Sequence, residues 1–170
     1  MPVLLEVPQT YQRLLALATG FLLLGGCGSS GATKPPPTAT GGIKVVAPWH
    51  NGARIPRLYT CDGANRKPAI KVSRSGPGGT AIVMTDPDAP GGTFVHWTQW
   101  GATEGRNSFG KTGYDGPCPP HGDKPHHYVI TAYALKSALG LPQGADLRKV
   151  VAEIRKRASA SGSITGLYQR

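Results

Sequence analysis

The chain predicts a mainly β fold: a β-sandwich core with one or two short helices near its C-terminal end. From Ile43 onward its apolar segments are short and repeatedly broken by glycine and proline. Only one stretch has the spacing of an amphipathic helix, and it comes late. No helical pattern alternates with the strands, which argues against a parallel α/β sheet. In order, Ile43–Val46 and Ala69–Val72 alternate weakly. Thr80–Thr85 is a continuous apolar run between Gly78-Gly79 and an Asp-Pro turn, and it reads as a buried central strand. Phe94–Trp100 alternates cleanly, with Phe94, His96, Thr98 and Trp100 on one face and Val95, Trp97 and Gln99 on the other. His127–Leu135 is the longest strand candidate; His126 and Tyr128 project to one side, His127, Val129 and Thr131 to the other. Gly140–Gly144 turns into a helix that Asp146 caps and that carries Leu147, Val150, Val151, Ile154 and Ala158 at helical spacing. Ile164–Tyr168 is the last strand candidate.

The first 42 residues have a different composition. Leu14–Leu24 is an apolar run following Arg13, too short for a spanning helix but suited to the apolar region of an export signal. It ends in Leu24-Gly25-Gly26-Cys27, which resembles the lipobox of a bacterial lipoprotein. Residues 1–26 would then be a signal peptide and Cys27 the acylated first residue of the mature chain. Glu6 offsets Arg13, so the positive bias expected ahead of a signal is poor, and a plain secretory signal is the alternative. Residues 27–42 carry the acylated cysteine and a Gly/Ser/Pro linker that cannot bury apolar surface. The reading is an exported domain, 43–170, held at a cell membrane in the bacterial envelope through a lipid anchor at Cys27.

The formal net charge is +10, which favours acidic partners such as anionic lipid or cell-wall polymer. The densest run, Arg148, Lys149, Arg155, Lys156 and Arg157, falls on the helix, where charges most often form a solvated face. With no nucleic-acid motif and an export signal, nucleic acid is not an expected partner. Setting Cys27 aside leaves Cys61 and Cys118. An oxidising compartment allows them to pair, and two separate small thiols are the other outcome.

Four patches carry the chemistry: Asp86-Pro87-Asp88-Ala89-Pro90, Phe94-Val95-His96-Trp97, Gly116-Pro117-Cys118-Pro119-Pro120 and His126-His127-Tyr128. Asp86 and Asp88 flank a proline at a strand end. By themselves they would cap turns, bind a cation or form an acid–base pair. His96 follows on the next strand, close enough for a hairpin to bring its imidazole to one of these carboxylates. His126 and Tyr128 add an imidazole and a phenol on one face. Convergent donors of this kind suit a phosphate or carboxylate ligand. His96, His126, Asp86 and Asp88 are also enough ligands for a metal, but lack His-Glu-x-x-His or Cys-x-x-Cys spacing. No Gly-x-Ser-x-Gly elbow supports a serine hydrolase.

In this order the four patches resemble the phosphatidylethanolamine-binding proteins, and most closely their bacterial branch, often called Raf kinase inhibitor-like. Tyr59-Thr60-Cys61-Asp62-Gly63 and Gly166-Leu167-Tyr168 fit the same branch. The resemblance implies a phosphatidylethanolamine-binding-protein-like β-sandwich with a small rim pocket for phosphate-like groups. Carried over by motif position, the ligand-binding residues are Asp86, Asp88, Pro90, His96, Gly116, Pro119, Pro120, His126 and Tyr128. His127 holds the variable position and points away. The implied role is binding a small anion or phospholipid headgroup, without catalysis, cofactor or resident metal. A protease- or kinase-inhibiting interaction protein is the alternative, and a metal-dependent hydrolase a more distant one. The chain departs from the branch in its short connection, Gly101–Gly105, after Trp100, which would open one side of the pocket.

Overall fold

The computed structural model describes residues 42–170. The predicted signal peptide, Cys27 and the linker as far as residue 41 lie outside them. The described chain forms β1 (Val45–Val46), β2 (Ala53–Arg54), β3 (Lys71–Val72), β4 (Thr80–Asp86), β5 (Phe94–Trp100), β6 (Thr103–Glu104), β7 (His126–Leu135), α1 (Leu147–Arg157) and β8 (Ala158–Tyr168). Six strands make one sheet in the order β2-β8-β7-β4-β5-β6, and β1 pairs with β3 in a small second sheet. The fold is mainly β with one short helix, as the sequence predicts.

β4 lies inside the sheet because its apolar run can be buried on both faces. On one face Ile82, Met84, Trp97, Tyr128 and Ile130 pack against Ile43, Val45, Trp49 and Ile55 from the N-terminal segments. On the other, Ala81, Val83, Val95, Trp100, Tyr133 and Leu135 lie beneath Val150 and Ile154 of the helix. Asp146 caps α1, accepting from the Arg148 and Lys149 amides at 2.9 and 3.2 Å.

Three expectations need correction. Ala158 closes the helix through its N–H to Ile154 O and already belongs to β8. The last strand therefore starts six residues before the predicted Ile164. Its Ala/Ser/Gly sequence has little strand propensity, but at two of its glycines no side chain fits. A side chain at Gly162 would collide with the Ile43 carbonyl, and one at Gly166 with Ile55 and Trp49. The third correction concerns β5. Met84 faces Trp97 while Thr85 faces Val95, so His96 is the extra residue of a β-bulge. The bulge breaks the predicted alternation. Val95 joins Trp100 on the helix side, whereas Trp97 packs with Tyr128 on the opposite face. His96 meets Tyr128 there as well, with ring centroids 5.3 Å apart.

Cys61 and Cys118 form a disulfide with Cα atoms 5.4 Å apart. It joins the loop after a short 3-10 turn, Arg57–Tyr59, to the Gly116–Pro120 run.

Candidate functional site

At one end of the large sheet, β4 and β7 bring Asp86, His126 and Tyr128 onto a single face, and the bulge in β5 adds His96. Asp86, His96, His126 and Tyr128 are each no more than 4% exposed. Asp86 Oδ2 accepts from His126 Nδ1 at 2.8 Å, and Asp86 Oδ1 accepts from the Asp88 amide at 2.9 Å. A carboxylate only accepts, so the His126 proton resides on Nδ1 and the ring is fixed in orientation. Its Nε2 lies 3.5 Å from Asp123 Oδ2. His96 donates from Nδ1 to the Asp115 carbonyl at 2.7 Å.

The predicted contact between His96 and a carboxylate of the Asp-Pro-Asp turn is therefore replaced by a bond to a backbone carbonyl. Asp88 pairs with His127 instead, accepting from its amide and its Nδ1, both at 2.8 Å. These bonds hold the Asp88 carboxyl below its ordinary value, the backbone amide having the largest effect. His127 lies on the opposite side of β7 from Tyr128, with its side chain more than half exposed. Sequence reasoning assigned it no role, and it anchors Asp88.

The Gly116–Pro120 run passes the cluster as a wall. Gly116 and Pro119 are buried, while Pro120 and Pro90 are exposed. A side chain at Gly116 would strike the Tyr59 carbonyl. Its amide donates to Asn65 Oδ1 at 2.8 Å, and Asn65 Nδ2 donates to Asp115 Oδ1 at 2.9 Å. Asn65 and Asp115 thus position the wall and the carbonyl that receives His96. Neither stands out in the sequence, because each acts through contacts distant along the chain. Phe109, half exposed, reaches from the segment after β6, its ring centroid 4.5 Å from Phe94 and 6.0 Å from His96. That side of the cluster is flanked by an aromatic ring despite the short connection after Trp100.

Two groups remain for a ligand. The Tyr128 hydroxyl is fully buried and has no hydrogen-bond partner. It lies beside the Asp86 carboxylate and the Cys118 backbone without reaching hydrogen-bonding geometry with either; burial first, then the Asp86 charge, pushes the phenol well above its ordinary range. The second group is His96 Nε2. Burial lowers the His96 pKa from 6.5, opposed by the Asp115 carbonyl bond and the Asp86 charge. Among the described residues no group of three or more His, Cys, Asp or Glu is placed to hold a metal ion.

The phosphatidylethanolamine-binding protein model matches residues 46–169. This chain belongs to that family. E. coli YbcL, described as a new member of the mammalian family, superposes with a TM-score of 0.68 at 26% identity, covering 75% of this chain and 98% of that one. A UPF0098 protein of Aquifex aeolicus is 38% identical over 72% of this chain and 85% of its own length. A Mycobacterium tuberculosis relative named "Putative lipoprotein LppC" is 35% identical over 86% of this chain and 90% of its own. In this family member no helix among the described residues is long and apolar enough to cross a membrane.

The His96 environment has a consequence for stability. Below pH 6.5 the unfolded imidazole takes up a proton that the folded one, with its lowered pKa, does not. Unfolding then binds a proton, so stability is lost as pH falls from 6.5 towards the folded value. Denaturant titrations between about pH 7.5 and 5.5 should show wild type losing more stability than His96→Asn. Equal losses would mean that His96 titrates normally in the fold.

Proposed function

We propose that this chain is an exported, lipid-anchored binding protein, not an enzyme, and that its Asp86–His96–His126–Tyr128 cluster takes a small oxyanion of the phosphate or phosphate-headgroup class. The observation that carries the reading is the orphaned Tyr128 hydroxyl. A buried donor without a partner costs stability, about 1–3 kcal/mol, unless a ligand acceptor completes it. His96 supplies a second donor once Nε2 is protonated, and Asp86 and Asp88 are already occupied by histidine and amide donors. Because carboxylates surround the cluster, the anion binds together with a proton, placed on His96 or carried by the ligand itself. The apolar run Leu14–Leu24 ahead of Cys27 in the sequence, with a relative named as a lipoprotein, supports the anchor.

Calorimetry with inorganic phosphate and with phosphoethanolamine tests the pocket. Binding should strengthen as pH falls, with net proton uptake when the titration is repeated in buffers of different ionisation enthalpy. Tyr128→Phe removes only the hydroxyl. It should weaken binding about tenfold or more, the worth of one hydrogen bond to a charged group, while leaving stability unchanged or raised. His126→Ala should also weaken it. The absence of heat for either anion with folded protein, or full binding by Tyr128→Phe, would remove the pocket from the function.

A further inference from the structure

The densest positive charge of the domain is gathered at the end of the sheet opposite the cluster, while Lys67, Lys71, Arg106, Arg148 and Lys149 are spread elsewhere. Near the cluster, Asp62, Asp86, Asp88, Asp115 and Asp123 are nearly balanced by Arg54, Arg57, Arg66, Lys111, Lys124 and Arg170. At the other end the described chain begins. Ile43 donates to the Ser161 carbonyl at 3.5 Å, and Lys44 and Ser73 exchange hydrogen bonds beside it. The turn after Arg74 meets the end of β7 through Gly78 and Leu135, and the Lys136 amide bonds to the Arg157 carbonyl at 2.8 Å. The one acid here is Glu153, already paired with Arg157. Nine steps of about 3.3 Å along β7 separate this end from His126, about 30 Å in all.

We propose that this end is a membrane-facing surface, with Lys44, Arg74, Lys136, Arg155, Lys156 and Arg157 lying against the anionic headgroups of the bilayer that holds Cys27 and with the ligand cluster directed away from it. The inference rests on the lipid-anchored reading above. Arg157 is partly buried and the other five residues are exposed. The surface is built from four separate chain segments that share only their closeness to the chain's entry point, which a solvated helix face does not explain. Chain length supports the same occupant. As the linker that their composition predicts, the 15 residues between Cys27 and Ile43 would span at most about 50 Å and about 20 Å on average. The domain, about 35 Å across, therefore stays within roughly its own diameter of the bilayer. At such an effective concentration, the modest attraction of each Lys or Arg to anionic lipid is enough to orient it. The cluster then faces the aqueous side, and its ligand arrives in solution rather than from the anchoring bilayer.

Lysine acetylation footprinting of the full chain on phosphatidylglycerol vesicles tests the orientation, with phosphatidylcholine vesicles as the control. Lys44, Lys136 and Lys156 should lose reactivity several-fold on the anionic vesicles while Lys111 and Lys124 keep theirs. Unacylated Cys27→Ala chain should still partition onto phosphatidylglycerol at low salt. Adding Lys136→Glu and Lys156→Glu should weaken that partition about tenfold or more and leave phosphate binding intact. Uniform protection, protection of Lys111 and Lys124, or equal affinity for the two lipids would overturn the proposal. Acylation is read separately from the mass of the N-terminal peptide. An unmodified Cys27 would sink the anchor while the Cys27→Ala partition still decides the surface.

Discussion

Replacing Cys61 and Cys118 together by serine should lower stability by about 4 kcal/mol. The bridge closes a loop with a sequence separation of 57, and loop-closure entropy sets that figure in the chain-entropy model. The bridge also bears on the site. Pro117 O accepts from the Cys61 amide at 3.1 Å, and the neighbouring Asp62 holds the Tyr168 hydroxyl at 2.6 Å and Arg170 Nε at 3.1 Å. The C-terminal end of β8, the loop before Asn65 and the Gly116–Pro120 wall thus meet at one covalent bond. The variant should still fold, because Asn65 continues to clasp Gly116 and Asp115. Its wall should be looser, and phosphate affinity should fall with stability. Urea unfolding of the double variant, and of wild type with and without reductant, provides the check. A loss below about 1 kcal/mol would show that the unfolded chain gains little freedom when the bridge is cut.

The strands that carry the site were legible because their patterns are local. The His-x-Tyr phase of β7 places His126 and Tyr128 on one face and the apolar run of β4 ends at Asp86, but only the pairing of β4 with β7 brings the three together. β8 was legible only in its last five residues. Its first half is dictated by the closeness of Ile43, and a requirement for small size appears in a sequence as an absence of strand signal. The bulge at His96 was hidden for the opposite reason, since Phe94–Trp100 alternates so regularly that nothing local marks an extra residue. The error had a direct effect on the site. A regular strand sets His96 and Trp97 on opposite faces, whereas the bulge turns both towards Tyr128 and delivers the imidazole to the cluster. The histidine–carboxylate pairing was misread for a related reason. Proximity along the chain favoured a carboxylate of the Asp-Pro-Asp turn with His96, but the pairs that form, Asp86 with His126 and Asp88 with His127, span 40 and 39 residues. Asn65 and Asp115 were missed because their role is to position the wall through bonds across 50 residues.

Asp86→Ala should cost about 3 kcal/mol, because it leaves two donors without an acceptor: the His126 Nδ1 hydrogen, deeply buried, and the Asp88 amide. The two losses arise from one carboxylate, so the substitution also frees the His126 ring to rotate and lets the Asp-Pro-Asp turn relax. Asp86→Asn separates charge from geometry. Its amide oxygen can still accept from His126 while its NH2 replaces the acceptor of the Asp88 amide, so only part of the stability should return, and the negative charge beside Tyr128 and His96 is gone. Phosphate binding should then respond differently in the two variants. Asp86→Ala should weaken it, because the imidazole is no longer held. Asp86→Asn should make it less dependent on pH, because the anion no longer enters beside a fixed negative charge and needs less help from a proton. Denaturant unfolding at neutral pH and phosphate titrations at several pH values distinguish these effects. If both variants stay within about 0.5 kcal/mol of wild type, the ordinary range for an inconsequential surface change, the carboxylate does not organise the cluster. The shared orientation of His126 and Tyr128 would then have to come from packing alone.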